Sequence, residues 1–267
     1  MSTVTVEKVN PHVSLITLNR PDRLNAMSHE LVADLHHALD EVGDDRDSRV
    51  VILTGAGRGF CAGLDLKGAG APPGAEGLGG PQAGLTGQQH IAALVPKLRG
   101  LRQPVIAAVN GPAAGGGLAL ALASDIRIAA ASARFNVAFV RIGLSGCDIG
   151  VSWLLPRLVG FSRAAEMMLT GRLIDAGEAD RIGLVLKVVP DGQVVDAALE
   201  TAELICANSP FGVWMTKEVM WSNLEVGSLH AGIDLENRTQ ILTSFSEDMR
   251  EAMAAFLAKR EPEFRNR

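Results

Sequence analysis

Cysteine is scarce in this sequence: only Cys61, Cys147 and Cys206 occur among 267 residues, and none stands in a Cys-x-x-Cys pair. An odd count without such pairs argues against a disulfide framework and a zinc site, and fits a reducing cytoplasm. Charge is also limited, at 21% charged residues with a formal net charge of −5. A mildly acidic chain is not built around a nucleic-acid groove, although a local basic patch for a phosphorylated ligand stays open. The first residues, Met1-Ser2-Thr3-Val4-Thr5, lack the basic and apolar regions of a secretory signal. Pro104 to Ser124 carries no charge, but Asn110-Gly111-Pro112 and Gly115-Gly116-Gly117 interrupt it. Those residues are poor helix-interior material, so a strand, a tight loop and a buried helix are expected there rather than a membrane span.

What is present is a chain with 47% hydrophobic residues, enough for one large globular domain, with or without an appended helical piece. Val13–Leu18 is rich in β-formers and reads as a strand. Ser28 is placed to cap a helix whose apolar residues Leu31, Leu35, Ala38, Leu39 and Val42 share one face. Arg49–Thr54 reads as a strand covered on both faces, as does Val105–Val109. Gly68–Gly87 is dense in glycine and proline and reads as a surface loop or lid edge. Leu118–Ser124 reads as helix and Asp125–Ala130 as strand. Ser162 is placed to cap a segment over Ala164–Leu169, and Asp175 has capping-box spacing to Glu178. After a last strand within Leu184–Val189, helical patterns follow at Val194–Ala207, Phe211–Asn223, Leu229–Leu242 and Ser246–Lys259. Strands alternating with helices, then helices alone, define an α/β core (1–200) with a C-terminal helical module (201–267).

Two segments combine an apolar strand, a sharp glycine turn and a following helix: Phe60-Cys61-Ala62-Gly63-Leu64-Asp65-Leu66 and Asn110-Gly111-Pro112-Ala113-Ala114-Gly115-Gly116-Gly117. Neither is a Walker loop, since no Gly-Lys-Ser/Thr follows, and neither is a clean dinucleotide fingerprint. Glycine lets backbone and ligand approach closely. A helix beginning at Gly116 or Gly117 offers free N–H groups and a partial positive charge, which suits an oxyanion. Losing one such donor typically costs about 3–4 kcal/mol of transition-state stabilisation. Close helix–strand packing would use the same glycines.

Together with Leu18-Asn19-Arg20-Pro21, Leu24-Asn25-Ala26, Asp125, Leu155-Pro156-Arg157-Leu158-Val159-Gly160, Leu169-Thr170-Gly171 and Ala255-Phe256-Leu257-Ala258-Lys259-Arg260, these segments resemble, in order and spacing, the crotonase (enoyl-CoA hydratase/isomerase) superfamily. The resemblance implies a spiral of ββα units with a C-terminal helical trimerisation module, assembled as a homotrimer or a hexamer. It implies an acyl-CoA substrate, with coenzyme A carried by that substrate and no further cofactor or metal. The backbone N–H groups of Leu64 and Gly116 would polarise the thioester carbonyl. Arg23, Ala62, Asp65, Lys67 and Lys259 would lie along the CoA, the last across a subunit boundary. Asp22 replaces a frequent family lysine, so one phosphate contact is expected to be missing.

The resemblance breaks at the two glutamates that position water and move protons in the family's hydratases. Their positions align to Ala119 and Phe139, which cannot transfer a proton. The nearest replacement is Asp148, either as a general base beside the acyl chain or as an N-cap for the helix beginning near Gly150. Arg141 is a candidate partner for Asp148. Cys61, Trp153, Phe139 and Met167 are expected to pack, Cys147 could be a thiol near the pocket, His36 and His37 are expected on a solvated helix face, and His90 is a weaker ligand candidate. The functions left open are a hydratase- or isomerase-like reaction, thioester hydrolysis or decarboxylation, and acyl-CoA binding without turnover.

Overall fold

A computed structural model describes residues 2–68 and 71–267. The chain opens with β1 (Val4–Asn10) and β2 (Val13–Leu18), an antiparallel pair, and passes through a short 3-10 turn at Pro21–Arg23 into α1 (His29–Asp44). Ser28 caps α1 by accepting from Leu31 N, and the buried face is Leu31, Val32, Leu35, Ala38, Leu39 and Val42, as the apolar spacing requires. Next come β3 (Val50–Gly55), α2 (Gly80–Ala92), α3 (Leu94–Gly100), β4 (Val105–Val109), β5 (Ala113–Ala114) and α4 (Gly116–Ala123). β6 (Ile126–Ala130), β7 (Arg134–Asn136), α5 (Val151–Val159), α6 (Phe161–Thr170), β8 (Ile174–Asp175), α7 (Ala176–Arg181) and β9 (Lys187–Val189) complete the α/β part. The remainder is α8 (Val194–Cys206), α9 (Pro210–Asn223), α10 (Leu229–Ser244) and α11 (Glu247–Ala258).

Six strands form one sheet in the order β1-β2-β3-β4-β6-β9, parallel from β2 onward; β5, β7 and β8 form a second, smaller sheet. Alternation along the strands sends Ile16, Leu18, Val51, Leu53 and Ala107 into a core shared with α1, α3 and α4. Leu15, Val50, Ile52, Ile106 and Ala108 face the other way, toward Val194, Ala197, Ala198 and Ala202 of α8. α8 therefore belongs to the packed core. The division expected at 200/201 falls inside it, and the change of packing partner comes at α9.

A buried ion pair seats α9. Lys217 Nζ stands 2.9 Å from Asp125 Oδ2 and donates to Gln103 O, while Trp221 Nε1 donates to Asp125 Oδ1 at 2.6 Å. Burial pushes the Lys217 ammonium below its ordinary value, which Asp125 partly restores. This network lies at the starts of β4 and β6, so it leaves the opposite sheet end free for loops.

Three local expectations change. Gly80–Ala92, part of the segment read as loop, is helix α2; Ala69 and Gly70 of that segment lie outside the described residues. α2 starts with Pro81 in its first turn, and Gln82 Oε1 accepts from Gly79 N. Ser162 does not cap α6, which begins at Phe161 after Gly160. Asp175 does cap α7, accepting from Glu178 N at 2.7 Å, but Glu178 turns to Arg172 instead of closing the box.

Candidate active site

β3 and β4 are parallel neighbours, so the loops leaving their carboxyl ends emerge side by side, where open parallel sheets place ligands. Two asparagines brace these loops. Asn25, fully buried with φ +55°, donates to Ala56 O and Gly59 O and accepts from Arg20 N. Asn110 accepts from Gly55 N and donates to Gly55 O and Gly57 O. The backbones close up so far that a Cβ on Gly111 would stand 2.2 Å from Arg58 O, and one on Gly117 2.1 Å from Cys61 O.

The two glycine-rich segments are thereby zipped together. Phe60 N and Cys61 N donate to Pro112 O, and Ala114 N donates to Cys61 O. On the other side, Met27 N donates to Gly63 O at 2.7 Å and Asp65 N to Met27 O at 3.0 Å. This parallel bridge turns the N–H of Leu64 away from Met27, and no hydrogen bond takes it up among the described residues. Gly116 opens α4, where helix geometry leaves its N–H without an intrahelical acceptor, and it too has no partner among the described residues. A Cβ on Gly63 would lie 3.4 Å from Gly116 N, which brings the Leu64 and Gly116 turns into contact. Met27 Sδ, Ile149 Cδ1 and the Phe139 ring crowd the Cα positions of Gly116 and Gly115, forming an apolar wall beside these N–H groups.

Ala119 is buried inside α4, and Phe139 lies against Gly115. The half-buried Asp148 precedes Ile149, whose side chain reaches Gly116. Its Oδ1 accepts from Ile149 N at 2.8 Å and from Gln88 Nε2 at 2.5 Å, and its carbonyl accepts from Val151 N. The N-cap of α5 is Gly150, in the left-handed region, so the Asp148 side chain does not cap that helix. Arg141 forms no ion pair among the described residues; Gln88 is the partner that takes its place.

Among the residues expected along CoA, Asp65 is buried and clamped. Arg20 Nη2 lies 2.9 Å from Oδ2, and Lys67 N and Gly68 N donate to Oδ1. The Arg20 hydrogen bond holds the carboxyl below the usual carboxylate range, helped by the two amides. Asp65 thus shapes the loop that presents Lys67 and is not itself free for a ligand. Ala62 donates its N–H to Leu24 O. Arg23 and Lys67 are exposed on the sheet-end loops, whereas Lys259 ends α11 in the left-handed region, on the C-terminal helices. Cys61 is fully buried and its thiol is pushed up to about 12 by burial, so it packs and stays protonated. Cys147 is exposed. His36, expected on a solvated face, instead faces α2: its Nε2 donates to His90 O at 3.0 Å, with the two rings 4.8 Å apart. Burial, with His36 and His29 nearby, lowers His90. Gln88 carries no signal of its own in the sequence, and Arg20 stands out there only as part of Leu18-Asn19-Arg20-Pro21.

A family model described as enoyl-CoA hydratase/isomerase matches residues 8–267. A protein described as probable enoyl-CoA hydratase EchA12 of Mycobacterium tuberculosis is 46% identical over 99% of this chain and 93% of its own length. The 1,2-epoxyphenylacetyl-CoA isomerase of Escherichia coli is 41% identical over 96% of each chain. The crystal structure of a probable enoyl-CoA hydratase/isomerase from Mycobacterium abscessus superposes with a TM-score of 0.94, at 40% identity and full coverage of both chains. The chain belongs to the enoyl-CoA hydratase/isomerase family and is an enzyme of the crotonase superfamily.

Proposed function

We propose that this enzyme is an acyl-CoA isomerase that works through a thioester enolate and a single carboxylate. The N–H groups of Leu64 and Gly116 receive the thioester oxygen, and the apolar wall of Met27, Phe139 and Ile149 holds the acyl chain. Asp148 takes a proton from the α-carbon of a β,γ-unsaturated thioester. The electron pair moves into the dienolate, whose negative oxygen rests on the two amides. The protonated Asp148 then returns its proton to the γ-carbon, and the double bond ends conjugated with the carbonyl. No atom is gained or lost, so one base suffices.

The observation that supports this reading is the pair of N–H groups, on Leu64 and Gly116, without partners among the described residues; beside it, the family resemblance puts the hydratase glutamates at the positions of Ala119 and Phe139. Hydration needs a water held between two proton-transferring groups, and this reading assigns the site a single carboxylate, Asp148. The isomerase among the relatives points the same way. Arg23, Ala62 and Lys67 line the CoA path, with Asp65 setting the loop and Lys259 supplied by a neighbouring subunit in a trimer or hexamer.

The test is conversion of a 3-enoyl-CoA to its conjugated isomer, followed by the absorbance of the conjugated thioester. Asp148→Asn is expected to lower kcat by about 10²- to 10⁴-fold while CoA affinity is kept. Wild-type turnover in that variant overturns the role. Free CoA or carbon dioxide as the product would assign hydrolysis or decarboxylation instead.

A further inference from the structure

We propose that Gln88 is the positioning residue of the acid–base carboxylate: from α2 it holds Oδ1 of Asp148 and leaves Oδ2 to meet the substrate. This deepens, and rests on, the reading of Asp148 given above.

The asymmetry of the carboxylate is the first argument. Oδ1 accepts both Gln88 Nε2 and Ile149 N, whereas Oδ2 accepts nothing among the described residues. A carboxylate fixed by two donors on one oxygen cannot rotate freely, so the second oxygen keeps one direction. Gln88 is also a neutral donor. It orders the oxygen without bringing an opposite charge, which would weaken a base. Asp148 forms no ion pair among the described residues.

The second argument is the local backbone. Ile149 has φ +35° and Gly150 has φ +86°. A β-branched residue in the left-handed region is held there only by its surroundings, and such strain collects at functional sites. Asp148 thus sits on a segment that needs an external tether. Gln88 supplies one from 60 residues away in the chain.

The third argument is how α2 is seated. Gly87 is buried, and a Cβ on it would stand 2.9 Å from Pro72 and 3.3 Å from His29 Cε1. His90, two residues beyond Gln88, is tied by its carbonyl to His36 Nε2 on α1. These contacts flank Gln88 in sequence and set its distance from Asp148. α2 itself includes Gly80, Gly84 and Gly87, so its position comes from these contacts more than from helix propensity.

Gln88→Leu keeps the side-chain bulk and removes the donor. With a 3-enoyl-CoA as probe, it is expected to lower kcat by about 10- to 100-fold, the scale of a misplaced reacting group, with KM changed less than about twofold. Gln88→Glu replaces the donor with a like charge and is expected to lose at least as much. In an Asp148→Asn background, Gln88→Leu is expected to change the residual rate by less than about twofold, because the group it orients is gone. A generally structural role would instead lower the rate equally in both backgrounds, and that result overturns the proposal. So does wild-type kcat in Gln88→Leu while Asp148→Asn is inactive, an outcome that leaves the Asp148 reading standing. Full activity in Asp148→Asn removes both.

Discussion

At the scale of single residues, the site is shaped by side chains that are absent. Gly117 is the sharpest case, since its missing Cβ makes room for the Cys61 carbonyl, a backbone atom that cannot swing aside. Gly117→Ala is expected to destabilise the protein by about 3 kcal/mol or more, through forced separation of the two glycine-rich segments. Chemical denaturation compared with wild type checks this; a loss below ~1 kcal/mol would mean that the segments part easily. Ala119 and Phe139 matter in the same negative sense, since neither side chain can transfer a proton.

At the scale of elements, the loop after β3 depends on the Arg20–Asp65 clamp. Asp65 is held below the ordinary carboxylate value of about 3.9. A group depressed in the folded state stabilises above its unfolded value, and that contribution disappears as pH falls through the folded value. Asp65→Asn is therefore expected to have a lower Tm than wild type at neutral pH. The gap should start to narrow below about pH 4, where the unfolded chain takes up the proton, and close as pH falls through the lower folded value. A Tm difference that is constant from pH 7 to pH 3 would count against the clamp. The element least legible in the sequence was α2, because its glycines and flanking prolines resemble those of a loop. Packing against α1 and Pro72, rather than propensity, makes it helical.

At the scale of the whole molecule, the C-terminal helices leave large apolar side chains in solvent. Leu229, Phe245, Phe256 and Leu257 are each at least three-quarters exposed. Isolated apolar residues are ordinary on a protein surface, but this concentration on terminal helices fits association between copies. Phe256→Glu combined with Leu257→Glu is expected to move the protein from a trimer or hexamer toward monomer in sedimentation velocity. A wild type that sediments as a monomer would end the oligomer reading. Lys259 closes the same helix, so the dissociated variant should also bind CoA more weakly.

The strands near Val13–Leu18, Arg49–Thr54 and Val105–Val109, the apolar face of α1, its Ser28 cap and the two glycine turns were readable in the amino-acid order, whereas β1 and the pairing of the strands were not. Each of the readable features arises from periodicity or backbone freedom over a few neighbouring residues. Only the tertiary structure decided that Asp65 belongs to Arg20, that Lys217 is spent on Asp125, and that Asp148 answers to Gln88 rather than to Arg141 or the end of α5. These pairings join residues 45, 92 and 60 positions apart. No local pattern encodes them, because the crossing of distant segments chooses which polar groups meet.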